Sequence, residues 1–322
     1  MRATILTSII REVFQLPLRW IDNQATPVHI GPNKIDWARI IPFIGIHLAC
    51  LGVFFVGYSA FALGLAVFLH ALRVFAITGF YHRYFSHKTF KTNRFWQFIF
   101  AVIGLMAIQR GPLWWAAHHR DHHLVSDQEE DAHSPVQHGF LWSHVGWFLS
   151  KKYFHHNPSR IQDFNRFPEL RFLDRFDVVV PILFGIGLYT LGEYLKVNSP
   201  QLHTSGLQLF IWGFCISTVC VFHATFTINS LSHCFGSRPH KTKDNSRNNL
   251  FLALLSFGEG WHNNHHFYPA SVRQGFKWWQ IDITYYLLLA LEKFRIIKEL
   301  RLPPASLVLE QGTVPKGNEI PD

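Results

Sequence analysis

Cysteine is scarce in this 322-residue chain, which has four cysteines and no CxxC pair. Three of the four lie inside apolar stretches, so neither a disulfide framework nor a cysteine-ligated zinc or iron–sulfur site is indicated. Charged residues are also few, at 16% of the chain. The chain is instead 48% hydrophobic and contains 31 phenylalanines and 21 histidines, and the histidine content is anomalously high.

The hydrophobic residues gather in long runs that few charges interrupt, which is a pattern typical of membrane spans. The first tract, 40–80, is about twice the ~20 residues that one span needs, and Gly57 near its middle suits a turn. A second pair of runs follows further along the chain. We therefore predict an all-α integral membrane protein with four transmembrane helices in two hairpins. The predicted spans are 39–58, 60–80, 178–195 and 207–228.

Two other apolar segments are too short to span. The first, 95–108, is expected to form a buried or re-entrant helix, and 278–291 an amphipathic or interfacial helix anchored by its tryptophans and tyrosines. We divide the chain into an N-terminal cytoplasmic segment (1–38), a main domain (39–300) and a C-terminal tail (301–322).

The distribution of basic residues predicts the orientation. The net charge is +9, and about a dozen lysines and arginines lie within 81–176, with more after residue 229, whereas the two hairpin connectors have almost none. By the positive-inside rule, both polar segments and both termini face the cytoplasm. This explains the positive charge better than binding to nucleic acid does, and we expect no nucleic-acid partner.

Three histidine clusters stand out, in the sequences HRYFSH, HRDHH and HNNHH. Their histidines are His82 and His87, then His119, His122 and His123, then His262, His265 and His266. In the HxxHH spacing the three histidines lie on one helix face, so three imidazoles are expected to converge on a small volume. His82 and His87 would be about 140° apart on an α-helix, so they either straddle a helix end or reach two different metals.

The segment Asn229 to His233 adds one more imidazole and one amide oxygen at the end of the last span. Imidazole suits iron, zinc, copper and nickel. Eight clustered histidines exceed what one ion can use, so we favour two ions. Because the clusters contain no thiolate and few carboxylates, we favour two irons that bind O2. Other histidines, such as His118, His133 and His155, are interpreted as surface or hydrogen-bonding residues.

The order HxxxxH, HxxHH, HxxHH, with helical hairpins between, resembles the membrane fatty acid desaturases, and is close to their acyl-CoA and Δ9 branch. Other matching motifs are SHVGW at 143–147, NSLSH at 229–233, GEGWHNNHH at 258–266 and KWWQ at 277–280. The resemblance covers about residues 40–300.

The resemblance implies a helical cytoplasmic cap with a di-iron site. Its ligands would be His82, His87, His119, His122, His123, His233, His262, His265 and His266, with Asn229 reaching one iron through a water. The reaction would use O2 and two electrons to place a cis double bond, at Δ9, in a saturated acyl-CoA or acyl-lipid. Because no His-Pro-Gly-Gly haem motif occurs, electrons are expected from a separate ferredoxin, rubredoxin or cytochrome b5 with its NAD(P)H reductase.

One departure concerns the substrate head group. Animal acyl-CoA enzymes have Arg-Asp before the second cluster, where this chain has Ala117 and His118. Lys151 and Lys152 are the remaining candidates for contact with head-group phosphates. Two alternative functions are a di-iron hydroxylase of alkanes or sterols and a metal-binding or transport protein of the membrane.

Overall fold

The computed structural model describes residues 17–29, 31 and 33–309. In chain order the main helices are α1 (Trp37–Val56), α2 (Ala60–Ser86), α3 (Arg94–Leu105), α4 (Pro112–Val125), α5 (Pro168–Arg175), α6 (Val179–Asn198), α7 (Gly206–His233), α8 (Leu250–Leu255), α9 (His262–Phe267) and α10 (Ile283–Lys293). Single helical turns lie at Asn23–Ala25, Pro135–His138, Trp142–Gly146, Trp147–Leu149, Pro158–Ile161, Gln162–Asn165, Pro200–Leu202 and Ala305–Leu309. Strand β1 (Lys91–Thr92) pairs with β2 (Ile297–Lys298) in an antiparallel ladder.

The predicted four-span architecture is confirmed. Helices α1, α2, α6 and α7 are each long and apolar enough to cross a membrane. The first hairpin turns at Gly57, whose φ of +62° is a conformation that favours glycine. Ser59 then caps α2 by accepting a hydrogen bond from the Ala62 N–H at 3.1 Å.

Helix α2 continues to Ser86, six residues past its predicted end, because its last turns are π-helical from Ala76 to Ser86. The N–H of His87 donates to the carbonyl of His82 at 3.2 Å, which is the five-residue step of a π-helix. Residues five apart are therefore about one turn apart. The separation of about 140° assumed α-helical geometry and does not apply here. The expectation that His82 and His87 straddle a helix end is confirmed, because His87 is the residue that follows the last residue of α2.

Helix α3 packs on this π-helical segment and buries Gln97, Phe100 and Leu105. The rings of Phe80 and Phe100 stack with centres 3.9 Å apart. The prediction of a short, buried helix in this region is therefore confirmed.

The prediction for 278–291 needs a correction at its start. Helix α10 begins only at Ile283, because Asp282 caps it by accepting from the Tyr285 N–H at 3.0 Å. Trp278 lies in the preceding turn and is 87% exposed.

The polar regions meet around the end of α2. The guanidinium of Arg83 is buried and donates to Glu259 at 3.1 Å and to Asp282 at 2.9 Å. The N-terminal segment is attached through Asn23, whose amide donates to the carbonyl of Asp174 at 2.7 Å. The division into 1–38, 39–300 and 301–322 stays a prediction, and its outermost parts, 1–16 and 310–322, lie outside the described residues.

Candidate metal centre

All nine histidines predicted as ligands come together in two groups at the ends of α2 and α7 and on α4 and α9. The first group contains His82, His87, His119, His123 and His265, and the second contains His122, His233, His262 and His266. Within each group, the candidate ligand atoms lie within 4.8 Å of one another. His82 and His87 therefore share one group and do not reach two different metals.

Each HxxHH cluster is divided between the two groups. On α4, His119 and His123 belong to the first group and His122 belongs to the second. On α9, His265 belongs to the first group, and His262 and His266 belong to the second. Positions i+3 and i+4 lie about 60° before and about 40° beyond position i on a helix, so they flank it on either side. The expectation that three imidazoles of one cluster converge on a single volume was therefore wrong.

The imidazole nitrogens are spaced as ligands of a common ion would be. Nε2–Nε2 distances are 2.8 Å for His87–His119, 2.9 Å for His123–His265, and 3.0 Å for His82–His265, His119–His123 and His233–His262. Two nitrogens bound at right angles about 2.1 Å from one ion would be about 3.0 Å apart.

Four carboxylates determine which nitrogen of the adjacent ring carries the proton. The Nδ1–H of His122 donates to Asp131 at 3.0 Å, and matching bonds join His233 to Asp127 at 2.9 Å, His266 to Asp244 at 2.8 Å, and His82 to Glu259. A proton on Nδ1 leaves a lone pair on Nε2, and such lone pairs facing one another repel unless a cation lies between them. The residues therefore fit a metal-binding role.

The electrostatics keep the carboxylates beside these rings ionised. Burial works to raise the pKa of Asp131, but His122, His133 and the hydrogen bonds to the carboxylate together hold that pKa well below the ordinary carboxyl value. Burial works to lower the pKa of His122, but the nearby carboxylates, Asp131 first, raise it above the ordinary value. Burial, assisted by neighbouring imidazoles, holds the pKa of His119 and His265 well below 6.5. These rings are thus neutral at pH 7, as metal ligands must be.

Asn229 and the two lysines have different surroundings. The backbone carbonyl of Asn229 accepts from the Ser143 hydroxyl at 2.9 Å, and Asn229 is one of the residues that line a cavity beside the histidines. Lys151 and Lys152 are exposed and are not among the residues lining that cavity. Metal contact by Asn229 and head-group binding by the lysines stay predictions.

A cavity of about 820 Å³ reaches the first histidine group. Its walls come mainly from α1, α4 and α7, with a smaller part from the start of α6, and they are rich in phenylalanine. His119, a member of the first group, lines the cavity. Gln109 donates to the hydroxyl of Thr225 at 2.8 Å, and both residues lie in the cavity wall.

The four carboxylates were missed by the sequence analysis. Three of them lie close to a histidine cluster in the sequence, because Asp127 and Asp131 follow HRDHH and Glu259 lies three residues before HNNHH. His133, interpreted as a surface or hydrogen-bonding residue, is 4% exposed and its ring centre lies 4.3 Å from that of His122. Asp244 lies in a loop with no motif that would predict its contact with His266.

Comparison with known proteins identifies the class. A family model described as fatty acid desaturase matches residues 43–295. The chain is 36% identical over 290 residues to an acyl-CoA 5-desaturase of Anemone leveillei, with 86% of each chain covered. It is 36% identical over 277 residues to the Delta-9 acyl-lipid desaturase 1 of Arabidopsis thaliana, covering 85% of this chain and 86% of the relative. It is 35% identical over 310 residues to the sn-1 stearoyl-lipid 9-desaturase of Synechocystis sp., covering 94% and 92%.

The chain therefore belongs to the fatty acid desaturase family. It is a membrane enzyme that acts on fatty acyl chains, with histidine groups suited to hold metal. The family membership decides for an enzyme over a metal transporter.

Proposed function

We propose that each histidine group holds one iron and that the enzyme places a cis double bond at Δ9 of a long-chain saturated acyl group. The observation that carries this proposal is that His119 belongs to the first group and also lines the apolar cavity. An acyl chain in the cavity would pass directly beside the metal centre. The relatives from Arabidopsis and Synechocystis support the Δ9 position, since both are named for it.

Bound iron would supply the oxidative chemistry, in which O2, two electrons, two protons and two substrate hydrogens give an alkene and two waters. The chain itself binds and places the substrate. Each buried methylene contributes about 0.8 kcal/mol in an apolar cavity. Because neighbouring methylenes are chemically alike, the position of the chain in the cavity has to choose the carbons that react.

The orientation and the electron donor are part of the same proposal. We place the histidine groups and both termini on the cytoplasmic side, supported by the basic residues of 81–176. A separate ferredoxin, rubredoxin or cytochrome b5 then delivers electrons to this face, where positive charge attracts an acidic donor.

Expression in a host fed stearate, followed by gas chromatography–mass spectrometry of total lipids, tests the proposal. A new Δ9 monoene in aerated, iron-supplied cells is expected, together with about two irons per chain in the purified protein. The His265→Ala variant is the inactive control. Absence of any new monoene, or metal analysis finding no iron, would contradict the proposal.

A further inference from the structure

The cavity has an open side within the membrane-spanning part of the protein. Pro42 and Gly45 of α1 line the cavity and are nevertheless exposed on the protein surface. On α6, Ile182 also lines the cavity and is 52% exposed. Pro17 and Ile21, next to the start of the described residues, also line the cavity and are exposed. Residues that line the cavity and remain exposed mark the place where its wall is incomplete, which among the described residues lies between α1 and α6 and is bordered by the segment of Pro17 and Ile21.

This opening lies at a defined depth. Pro42 and Gly45 are five and eight residues from the start of α1, which is about 8 and about 12 Å along the helix at ~1.5 Å per residue. Ile182 is three residues from the start of α6, or about 5 Å. The opening therefore faces the leaflet next to the histidine groups, where the acyl chains of membrane lipids begin below their ester groups.

The opposite side of α1 is closed. His47 and His223 are hydrogen-bonded through their Nε2 atoms at 3.2 Å, and His223 is hydrogen-bonded to His144 at 3.0 Å. The rings of Phe43 and Phe222 stack with centres 5.9 Å apart on the same side. These contacts fix α1 to α7, and α7 to the turn of His144, so the opening does not extend to this side of α1.

The charges that line the cavity do not suit a polyphosphate head group. Arg110 pairs with Asp177 at 2.8 Å, and Arg39 lies 4.0 Å from Asp36. Asp36 also pairs with Arg19 at 3.5 Å, so two carboxylates leave these three arginines with a net charge of one. A nucleotide-linked acyl group brings several phosphate charges, which need more cationic partners than this.

We infer that the acyl chain enters and leaves sideways, between α1 and α6, while its head group stays at the bilayer surface. The substrate is accordingly an acyl chain still esterified in a membrane glycerolipid. Such a chain is already in an apolar phase, so lateral entry does not expose it to water. This inference rests on the proposed desaturase function.

Intact-lipid mass spectrometry tests the inference. Host lipids are labelled with deuterated stearate and ¹³C-glycerol before expression, and washed membranes free of CoA are then supplied with NAD(P)H and O2. Glycerolipids that carry a deuterated monoene and the ¹³C backbone in one molecule are expected. Stearoyl-CoA is added to a parallel sample. If a monoene forms only from the added stearoyl-CoA, the inference is overturned. If neither the membrane glycerolipids nor the added stearoyl-CoA gains a monoene, the proposed function itself fails.

A pair of glycine variants tests the route. A Cβ added at Gly45 or Gly187 would meet no atom within 4 Å, so both positions have open space where a side chain would begin. Gly45 lines the opening, whereas Gly187 is exposed on α6 and is not among the cavity-lining residues. Gly45→Trp should slow desaturation of membrane lipid severalfold for every acyl-chain length, and Gly187→Trp should not. Equal rates in both variants, or a mere shift of Gly45→Trp toward shorter chains, would contradict entry at this place.

Discussion

Asp131 accepts the Nδ1–H of His122 at 3.0 Å, and its carboxylate is completely buried. The same carboxylate accepts the backbone N–H of Asp127 at 2.9 Å and that of His133 at 3.2 Å. It is thus fixed by the loop that follows α4, and it in turn fixes the imidazole of His122. A carboxylate held in this way sets the orientation of the ring and increases its basicity as a ligand.

The Asp131→Asn variant should lose metal from the second histidine group. An amide cannot supply the negative charge that orients His122, and loss of such a partner weakens metal affinity by about 10- to 100-fold. Iron per chain and monoene production should both fall. The control is Glu130→Gln, an exposed carboxylate one residue away. Unchanged iron content in Asp131→Asn would contradict the role given to this carboxylate.

Single alanine substitutions separate the two groups. His265→Ala removes a ligand of the first group, and His122→Ala removes one of the second. Each should abolish desaturation and reduce iron toward one ion per chain. His155→Ala is the control. His155 belongs to neither histidine group, and its ring is hydrogen-bonded to the carbonyl of Thr26 at 2.8 Å. Full activity in His122→Ala would remove it from the ligand set.

The four spans were predictable from sequence because each depends only on a long apolar run. Six of the nine histidines were predictable because the HxxHH spacing recurs, and His82, His87 and His233 because they stand at or near the ends of predicted spans. Their division into two groups was not, since it depends on side-chain directions around α4 and α9 and on the π-helical end of α2. That end in turn depends on tertiary packing, such as the Phe80–Phe100 stack, which local sequence does not encode.

The carboxylates show a second limit of sequence reasoning. Asp127 contacts His233 although 106 residues separate them, and Asp244 contacts His266 from a loop without regular structure. A single aspartate in a polar segment is by default a solvated residue. Only the fold brings these two against buried imidazoles.

Substitution of Arg83 tests how much its buried ion pairs stabilise the polar region. It is 1% exposed and pairs with two buried carboxylates, Glu259 and Asp282. Arg83→Met leaves both without their cation, and breaking a buried pair in this way costs about 3–5 kcal/mol. The thermal midpoint in detergent should fall markedly. Arg94→Met, which removes the exposed pair with Glu169, is the matched control and should leave the midpoint almost unchanged.

The pKa values of the buried histidines determine how the stability of the metal-free protein should change with pH. In the folded state, burial holds the pKa of His119 and His123 well below the ordinary value of 6.5. Below pH 6.5 the unfolded chain therefore binds protons that the folded chain does not, so stability is complete above this value and is lost as the pH falls. The thermal midpoint of the metal-free protein should decline from pH 7.5 to pH 5. A thermal midpoint that rises as the pH is lowered from 7.5 to 5 would contradict this prediction.

The bond from Gln109 to Thr225 should set where the acyl chain stops relative to the metal centre. It joins the segment before α4 to α7 within the cavity wall, so it fixes the cavity shape beside His119. Thr225→Val removes this bond, and a hydrogen bond worth about 1 kcal/mol corresponds to about a fivefold change in a ratio of products. Double bonds at positions other than the main one should increase by about this factor, measured by mass spectrometry of derivatised products. The control is Thr227→Val, since Thr227 bonds only within its own helix, to the carbonyl of Ala224 at 2.7 Å. An identical product distribution in the two variants would show that this bond does not position the chain.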